Sequence, residues 1–345
     1  MATKSIQCIC PVCAETIQVS GNNCPKCRGA VILNKRYLLV GALGQNKGMT
    51  WLAWDLQNKQ NVVIKELSVH KLASWKEQEL FQREMQILQQ LDHPGIPKFI
   101  DDFFIGESRR QIFYFVQEHL EGNNLKEEMK GTRFTEKQVL NILLSLLEIL
   151  LYLQNLRPPV VHRDIKPSNI IRKQDGTLAL IDFGAVVDIF RTGDQGSTVA
   201  GTFGFMAPEQ LFGRAGLESD LYGLGMTAIV LLCRLQPEEM IDASFKINWD
   251  RQKSLSEPVK SLLKKMISQT ASERPSPEDA IALVKQTLKM LDNPQLALQS
   301  AKPESIQVNA EYDKDFKARL GVGVAISLAT ILVFVLVVVF SFFLS

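Results

Sequence analysis

The chain lacks a dominant charge. Its 39 Lys and Arg stand against 37 Asp and Glu, a net of +2 over 345 residues. No basic run with interleaved aromatics is present, so nucleic acid is not an expected partner. The start, "MATKSIQC", lacks the apolar stretch of a secretory signal. There are no internal repeats. A chain that is 46% hydrophobic and 22% charged is not compositionally disordered, and it can bury one large core or two moderate ones.

Charge is missing most completely near the end, where Leu320 to Leu344 form twenty-five residues without one ionisable group. A bilayer's hydrocarbon, about 30 Å thick, needs roughly 20 helical residues to cross. Soluble core helices seldom run so long uncharged, so residues 320–344 are expected to be a single transmembrane helix in contact with lipid. Lys314, Lys317 and Arg319 precede it, and the positive-inside rule keeps the N-terminal part in the cytoplasm. The expected location is the cell or inner membrane, single-pass, with residues 292–319 as a polar juxtamembrane linker.

Cysteine is scarce except at one end: five of the six fall within the first 27 residues. Cys10 and Cys13, then Cys24 and Cys27, repeat a C-x2-C spacing that sets two thiolates on a tight turn, two such turns making a tetrahedral zinc site. Gly29 suits the turn closing the second. Two disulfides are the alternative, disfavoured in a reduced compartment. Four thiolates leave no open position, which makes the zinc structural, and Cys8 is left as a spare or alternative ligand. Cys233, in "TAIVLLC", reads as a buried small hydrophobe. Residues 1–33 are thus expected to be a zinc-ribbon-like module.

Between these ends, mixed β-branched and aromatic runs bounded by turn residues predict strands near Tyr37 to Gly41, Thr50 to Leu56 and Asn61 to Leu67, then at "KFIDDFFI" and "QIFYFVQEH". A helix is expected from about Trp75 to Leu91. After "EGNN" the pattern becomes mostly helical, with Thr135 and Gln138 as a capping box and Ser276-Pro277 opening a last helix. The stretch "GALGQNKGMTW" between the first two strands has the look of a phosphate-cradling loop. Asn46 stands where G-x-G-x-x-G would place its second glycine, and Gly48 arrives one residue early. Alone it fits an ordinary hairpin turn better than a nucleotide clamp.

Two further segments carry chemistry. "VVHRDIKPSNII" brackets His162, Arg163, Asp164, Lys166 and Asn169 with apolar pairs, as a polar loop pinned between core strands would be. "LALIDFGAV" sets Asp182 at the end of an apolar strand. Asn169 and Asp182 could share magnesium, and Asp164 could accept a proton.

"HRDIKPSN", "DFG" and "GTFGFMAPEQ", in that order and spacing, resemble the motifs of a eukaryotic-like (Hanks-type) bacterial serine/threonine protein kinase, cyanobacterial in flavour. The resemblance covers about residues 34–291. It implies an α+β, two-lobed protein kinase fold with a small β-rich lobe (about 34–120) and a larger helical lobe (about 121–291). Within that family Lys65 matches the lysine on the α and β phosphates of ATP, and Glu84 its helix partner. Asp164 matches the aspartate that takes the substrate proton, and Lys166 the lysine on the γ-phosphate. Asn169 and Asp182 match the ligands of magnesium, or manganese. The glycine loop, with Gly44 and Gly48, would then cover the phosphates, shortened and with a weakened grip. Glu118 to Leu120 would be the adenine hinge with Gln117 behind it, and Thr50 and Ala53 would line the adenine side. Glu209 is expected to pair with Arg274, and Asp220 to brace the catalytic loop.

Lys166 with Thr202 implies Ser/Thr hydroxyls on protein substrates rather than Tyr. Arg163 is expected to pair with a phosphorylated residue of the activation segment, Thr192, Ser197 or Thr198, and autophosphorylation would bring two copies together as a homodimer. The alternative activity class is a pseudokinase-like scaffold with impaired ATP binding. Intact Lys65, Asp164, Asn169 and Asp182 favour the enzyme.

Overall fold

A computed structural model describes residues 7–18, 21–44, 49–68, 85–106, 111–183, 202–240, 247–249 and 255–293. The expected membrane span, Gly48, Glu84, Thr192, Ser197 and Thr198 lie outside these residues. The expected helix near residues 75–91 is seen only from Met85 onward.

Two short strands, β1 (Gln7–Ile9) and β2 (Thr16–Gln18), pair antiparallel and frame the first cysteine turn. β3 (Ile32–Leu33) follows the second. It does not belong to a separate module. It forms the edge of a six-stranded sheet of order β3-β4-β5-β6-β8-β7, with β4 (Tyr37–Gly44), β5 (Thr50–Asp55), β6 (Gln60–Ser68), β7 (Phe99–Ile105) and β8 (Ile112–Glu118). Asn34 and Lys35 make the β3–β4 turn with φ of 46° and 54°, a primed hairpin turn that Asn tolerates well.

Alternation along β5 is strict: Trp51, Ala53 and Asp55 are buried, Thr50, Leu52 and Trp54 less so. The period of two therefore splits the sheet into faces. One face holds a cluster of Leu33, Tyr37, Leu39, Trp51, Ala53, Val62 and Ile64 with Phe103, Tyr114 and Val116. Phe113 and Phe115 of β8 belong instead to the large cluster that includes Met85, Leu88 and Leu91 and the helical lobe.

The helical lobe is built on α2 (Glu136–Asn155), which follows α1 (Leu125–Gly131). Thr135 caps α2 with the expected capping box: Gln138 N–H donates to Thr135 Oγ1 at 3.2 Å, and Thr135 N–H to Gln138 Oε1 at 2.9 Å, an arrangement worth about 1 kcal/mol. Nine of its side chains are buried, Val139 to Leu153, each contributing about 1.5–3 kcal/mol relative to exposure. α2 is the one described helix long and apolar enough to cross a membrane, and half of it is buried in this core.

α3 (Leu217–Cys233) is buried almost all round. It is followed by the short α4 (Pro237–Met240), α5 (Glu257–Met266) and α6 (Pro277–Asp292). A second sheet, not expected as a sheet, lies in this lobe and is formed by β9 (Gly122–Asn124), β10 (Ile170–Lys173) and β11 (Leu178–Leu180) in the order β11-β10-β9. It ties the C-terminal end of the polar loop to the strand that leads to Asp182, because Ile170 pairs with Leu180 across β10 and β11.

Candidate active site

The loop of residues 162–169 is anchored from below. Asp220, in the first turn of α3, accepts the backbone N–H of His162 and of Arg163, both at 2.7 Å. Arg163 has φ of 69°, a left-handed conformation that costs a non-glycine residue on the order of 1–3 kcal/mol and that the two amide bonds hold in place. Burial pushes the Asp220 carboxyl up to about 7. Gln210, absent from the expected set, adds a third tie: its amide donates to the Arg163 carbonyl at 2.9 Å while its oxygen accepts from Ala207 N–H at 2.9 Å.

His162 is fully buried. Its Nε2 faces the Ile181 carbonyl at 3.0 Å, its Nδ1 accepts from Asp164 N–H at 3.3 Å, and its ring meets Phe183 edge-on at 4.7 Å. Donor and acceptor on the two nitrogens define a neutral ring, and burial lowers its pKa to about 4. His162 thereby joins the loop to the segment carrying Asp182, as does Ile181 N–H donating to the Asn169 carbonyl at 2.8 Å.

Above this frame four side chains converge. Lys166 Nζ lies 2.6 Å from Asp164 Oδ2 and 2.5 Å from Thr202 Oγ1, and the Thr202 hydroxyl donates to Asp164 Oδ1 at 2.8 Å. The Asn169 amide donates to the Asp164 carbonyl at 2.9 Å and to its Oδ2 at 3.1 Å. Across the cleft, Lys65 on β6 reaches Asp182 Oδ1 at 3.0 Å. The Lys65 ammonium holds the Asp182 carboxyl at about 2, well below the usual carboxylate range. Thr50 is directly opposite Lys65 in the sheet. Ala53, expected beside Thr50, sits on the other face and is fully buried, because three residues along a strand reverse the side.

Gly44 ends β4, paired with Thr50. Gln117 is buried opposite Val63. Glu118 N–H donates to the Lys98 carbonyl at 2.8 Å, and His119 and Leu120 follow half-buried at the end of β8.

The Glu209 carboxylate is gripped at both oxygens by Arg274, at 2.6 and 2.9 Å, with Ser219 Oγ donating at 2.6 Å. The expected pairings of Glu209 and of Asp220 are both present.

At the other end, the sulfurs of Cys10, Cys13, Cys24 and Cys27 all lie within 4.8 Å of one another, and Cys8 is outside the group. Cys10 and Cys27 are 3.6 Å apart, Cys13 and Cys24 3.8 Å. These are not disulfide distances. They match the edge of a tetrahedron of sulfurs about 2.3 Å from a zinc ion, about 3.8 Å. Backbone N–H groups of Val12, Lys26 and Gly29 point at sulfur at 3.4 Å. The left-handed residue after each turn is Ala14 (φ 58°) or Arg28 (φ 63°) rather than Gly29. Gly29 is required for room, since a Cβ there would come within 2.6 Å of Val12. Cys233 is half-buried against the large core rather than fully enclosed.

A two-lobed fold with an anchored H-R-D loop and a lysine facing an aspartate across the cleft defines the class as a protein kinase. Residues 38–284 match the protein kinase domain family, and the chain belongs to that family. It is 36% identical over 277 residues to serine/threonine-protein kinase B of Synechocystis, covering 73% of this chain and 46% of that protein. It is 41% identical over 228 residues to serine/threonine-protein kinase PknA of Nostoc, covering 61% and 39%, and 38% identical over 257 residues to serine/threonine-protein kinase D of Synechocystis, covering 70% and 49%. The chain thus spans about half the length of the curated relatives it matches. The family implies ATP, a divalent metal and protein substrates, and the cysteine cluster is compatible with zinc.

Proposed function

We propose that this chain is a serine/threonine protein kinase that moves the γ-phosphate of ATP to Ser and Thr hydroxyls of proteins. The observation that carries this reading is the convergence of Asp164, Lys166, Asn169 and Thr202 beneath the Lys65–Asp182 pair. Phosphoryl transfer asks for positioning and charge neutralisation. Lys65 orients the α and β phosphates and Lys166 the γ-phosphate. The substrate hydroxyl attacks phosphorus, its proton passes to an Asp164 oxygen, and the bond to the departing ADP oxygen breaks. Asn169 and Asp182 hold magnesium, which when bound neutralises phosphate charge. Thr202 joins Asp164 to the segment that receives the substrate, which favours Ser and Thr acceptors. Glu84 completes the Lys65 contact, Gly44 and Gly48 cover the phosphates, and the backbone of Glu118 to Leu120 receives the adenine.

The remaining assignments extend this reading. Cys10, Cys13, Cys24 and Cys27 hold one structural zinc. Residues 320–344 cross the membrane, leaving the kinase in the cytoplasm, and two copies meet to phosphorylate Thr192, Ser197 or Thr198 near Arg163.

The test is purified protein with labelled ATP and a generic protein substrate. Phosphoserine and phosphothreonine formed by the native chain and lost in Asp164→Asn are the expected result. Weak ATP binding and no transfer by the native chain would establish the scaffold reading instead.

A further inference from the structure

The metal ligands are not on a tethered appendage. Cys8, Cys10 and Cys24 are buried in one apolar cluster with Ile17, Val31 and Leu38, and Trp54 packs against it. Leu38 and Trp54 are direct partners across β4 and β5, the two strands that carry the glycine-rich loop at their far ends. β3, which leaves the second cysteine turn, pairs with β4 through Ile32 and Leu38 and places Leu33 in the small-lobe core. Ile9 of β1 packs against that same core. The connection is a tight turn rather than a linker. Arg36, just beyond it, grips the buried Asp55 at 2.9 and 2.7 Å, next to Trp54 in the chain.

We propose that Leu38 and Trp54 are positioning residues for the nucleotide, locking the cysteine module to β4 and β5 so that metal held by Cys10, Cys13, Cys24 and Cys27 sets how firmly ATP is gripped. This rests on the kinase and zinc readings above. Trp54 and Thr50 lie on the same face of β5, four residues and about 13 Å apart, and Thr50 faces Lys65. A bound metal fixes two cysteine turns into one rigid body, and that body packs on the Leu38–Trp54 pair from outside its own sheet. Without it the pair loses its cover, and the start of the loop-bearing hairpin loosens. The catalytic loop is held separately, by Asp220 and Gln210 in the helical lobe. The seam therefore acts on ATP binding and not on the chemical step.

The experiment uses the full chain in lipid nanodiscs, with ATP dissociation constants from calorimetry, steady-state kinetics and metal content measured side by side. Trp54→Ala should raise the ATP dissociation constant and KM about two- to tenfold, the loss of about one net hydrogen bond's worth of positioning, with kcat and zinc content unchanged. Trp54→Phe should restore wild-type binding. Cys10→Ser with Cys13→Ser should lose zinc and raise the dissociation constant by a similar factor, and adding Trp54→Ala to it should bring little further change. An unchanged dissociation constant in Trp54→Ala, or a cysteine effect on kcat alone, overturns the proposal. If Trp54→Ala does not fold, Leu38→Val takes its place, and normal ATP binding by that variant overturns it equally. A native chain without zinc refutes the metal reading while Trp54→Ala still judges the seam. A native chain that binds ATP but transfers no phosphate refutes the activity while the dissociation constants still apply.

Discussion

The Lys65 ammonium and the Asp182 carboxylate meet at 3.0 Å, joining the middle of the small-lobe sheet to the segment that follows β11 in the helical lobe. Lys65→Met should remove the positive charge that holds Asp182 acidic. The Asp182 carboxyl is then expected to titrate above its present value of about 2, followed by NMR of labelled aspartate. KM for ATP should rise roughly ten- to hundredfold, the worth of a charged hydrogen bond. An unmoved Asp182 titration would show that some other group sets it.

Asp164→Asn is expected to reduce phosphotransfer by about 10²–10⁴, the usual contribution of a proton acceptor. It should leave the ATP dissociation constant unchanged. The amide keeps the shape and still meets Lys166, Asn169 and Thr202. Near-normal turnover would exclude Asp164 as the acceptor.

Thr202 bridges Asp164 and Lys166 with one hydroxyl. Thr202→Val should lower kcat for protein substrates by about tenfold or more, since a hydrogen bond to a charged group is worth about 1.5–3 kcal/mol. Thr202→Ser should recover most of it. Equal kinetics of the Val and Ser variants would reduce Thr202 to a packing residue.

Arg274 is almost fully buried against Glu209, and removing one member of a buried pair strands the other. Glu209→Gln should cost about 3–5 kcal/mol of stability, read as a fall in the urea midpoint. Adding Arg274→Met to that variant should cost much less than Arg274→Met does alone. Additive losses would mean that the pair does not act as a unit.

His162 and Asp220 give opposite pH dependences. His162 falls from an ordinary 6.5 to about 4 on burial. Between those values the unfolded chain binds a proton that the native state does not, so stability rises with pH. Asp220 moves from 3.8 up to about 7, so in that window the native state holds the extra proton and stability falls with pH. The two slopes offset in the native chain. Asp220→Asn removes the falling one, and its urea midpoint should climb from about pH 4.5 to about pH 6.5 more steeply than the native protein's. A slope no steeper than native would show that Asp220 is ionised throughout.

The five long strands of the small lobe, the capping box at Thr135 and the order of "HRDIKPSN", "DFG" and "APEQ" were all legible in the chain, because period, capping and motif spacing are local properties. Local pattern also identified the four cysteines as a set. Asp220 was legible only through resemblance: nothing near "SDLYGLG" says that its carboxylate accepts amides 57 and 58 residues away. Gln210 had no separate signal, since a glutamine after "APE" looks the same whether it faces water or the Arg163 carbonyl.

By itself the sequence determined which chemical groups this protein owns and the family they mark, since residue type, spacing and periodicity need no partner to be read. The tertiary structure alone decided that the cysteine turns share a core with Leu38 and Trp54, that Ala53 turns away from Thr50, and that Thr202 meets Asp164 across 38 residues. Each of those depends on which surfaces bury each other, and burial is set by the whole chain at once.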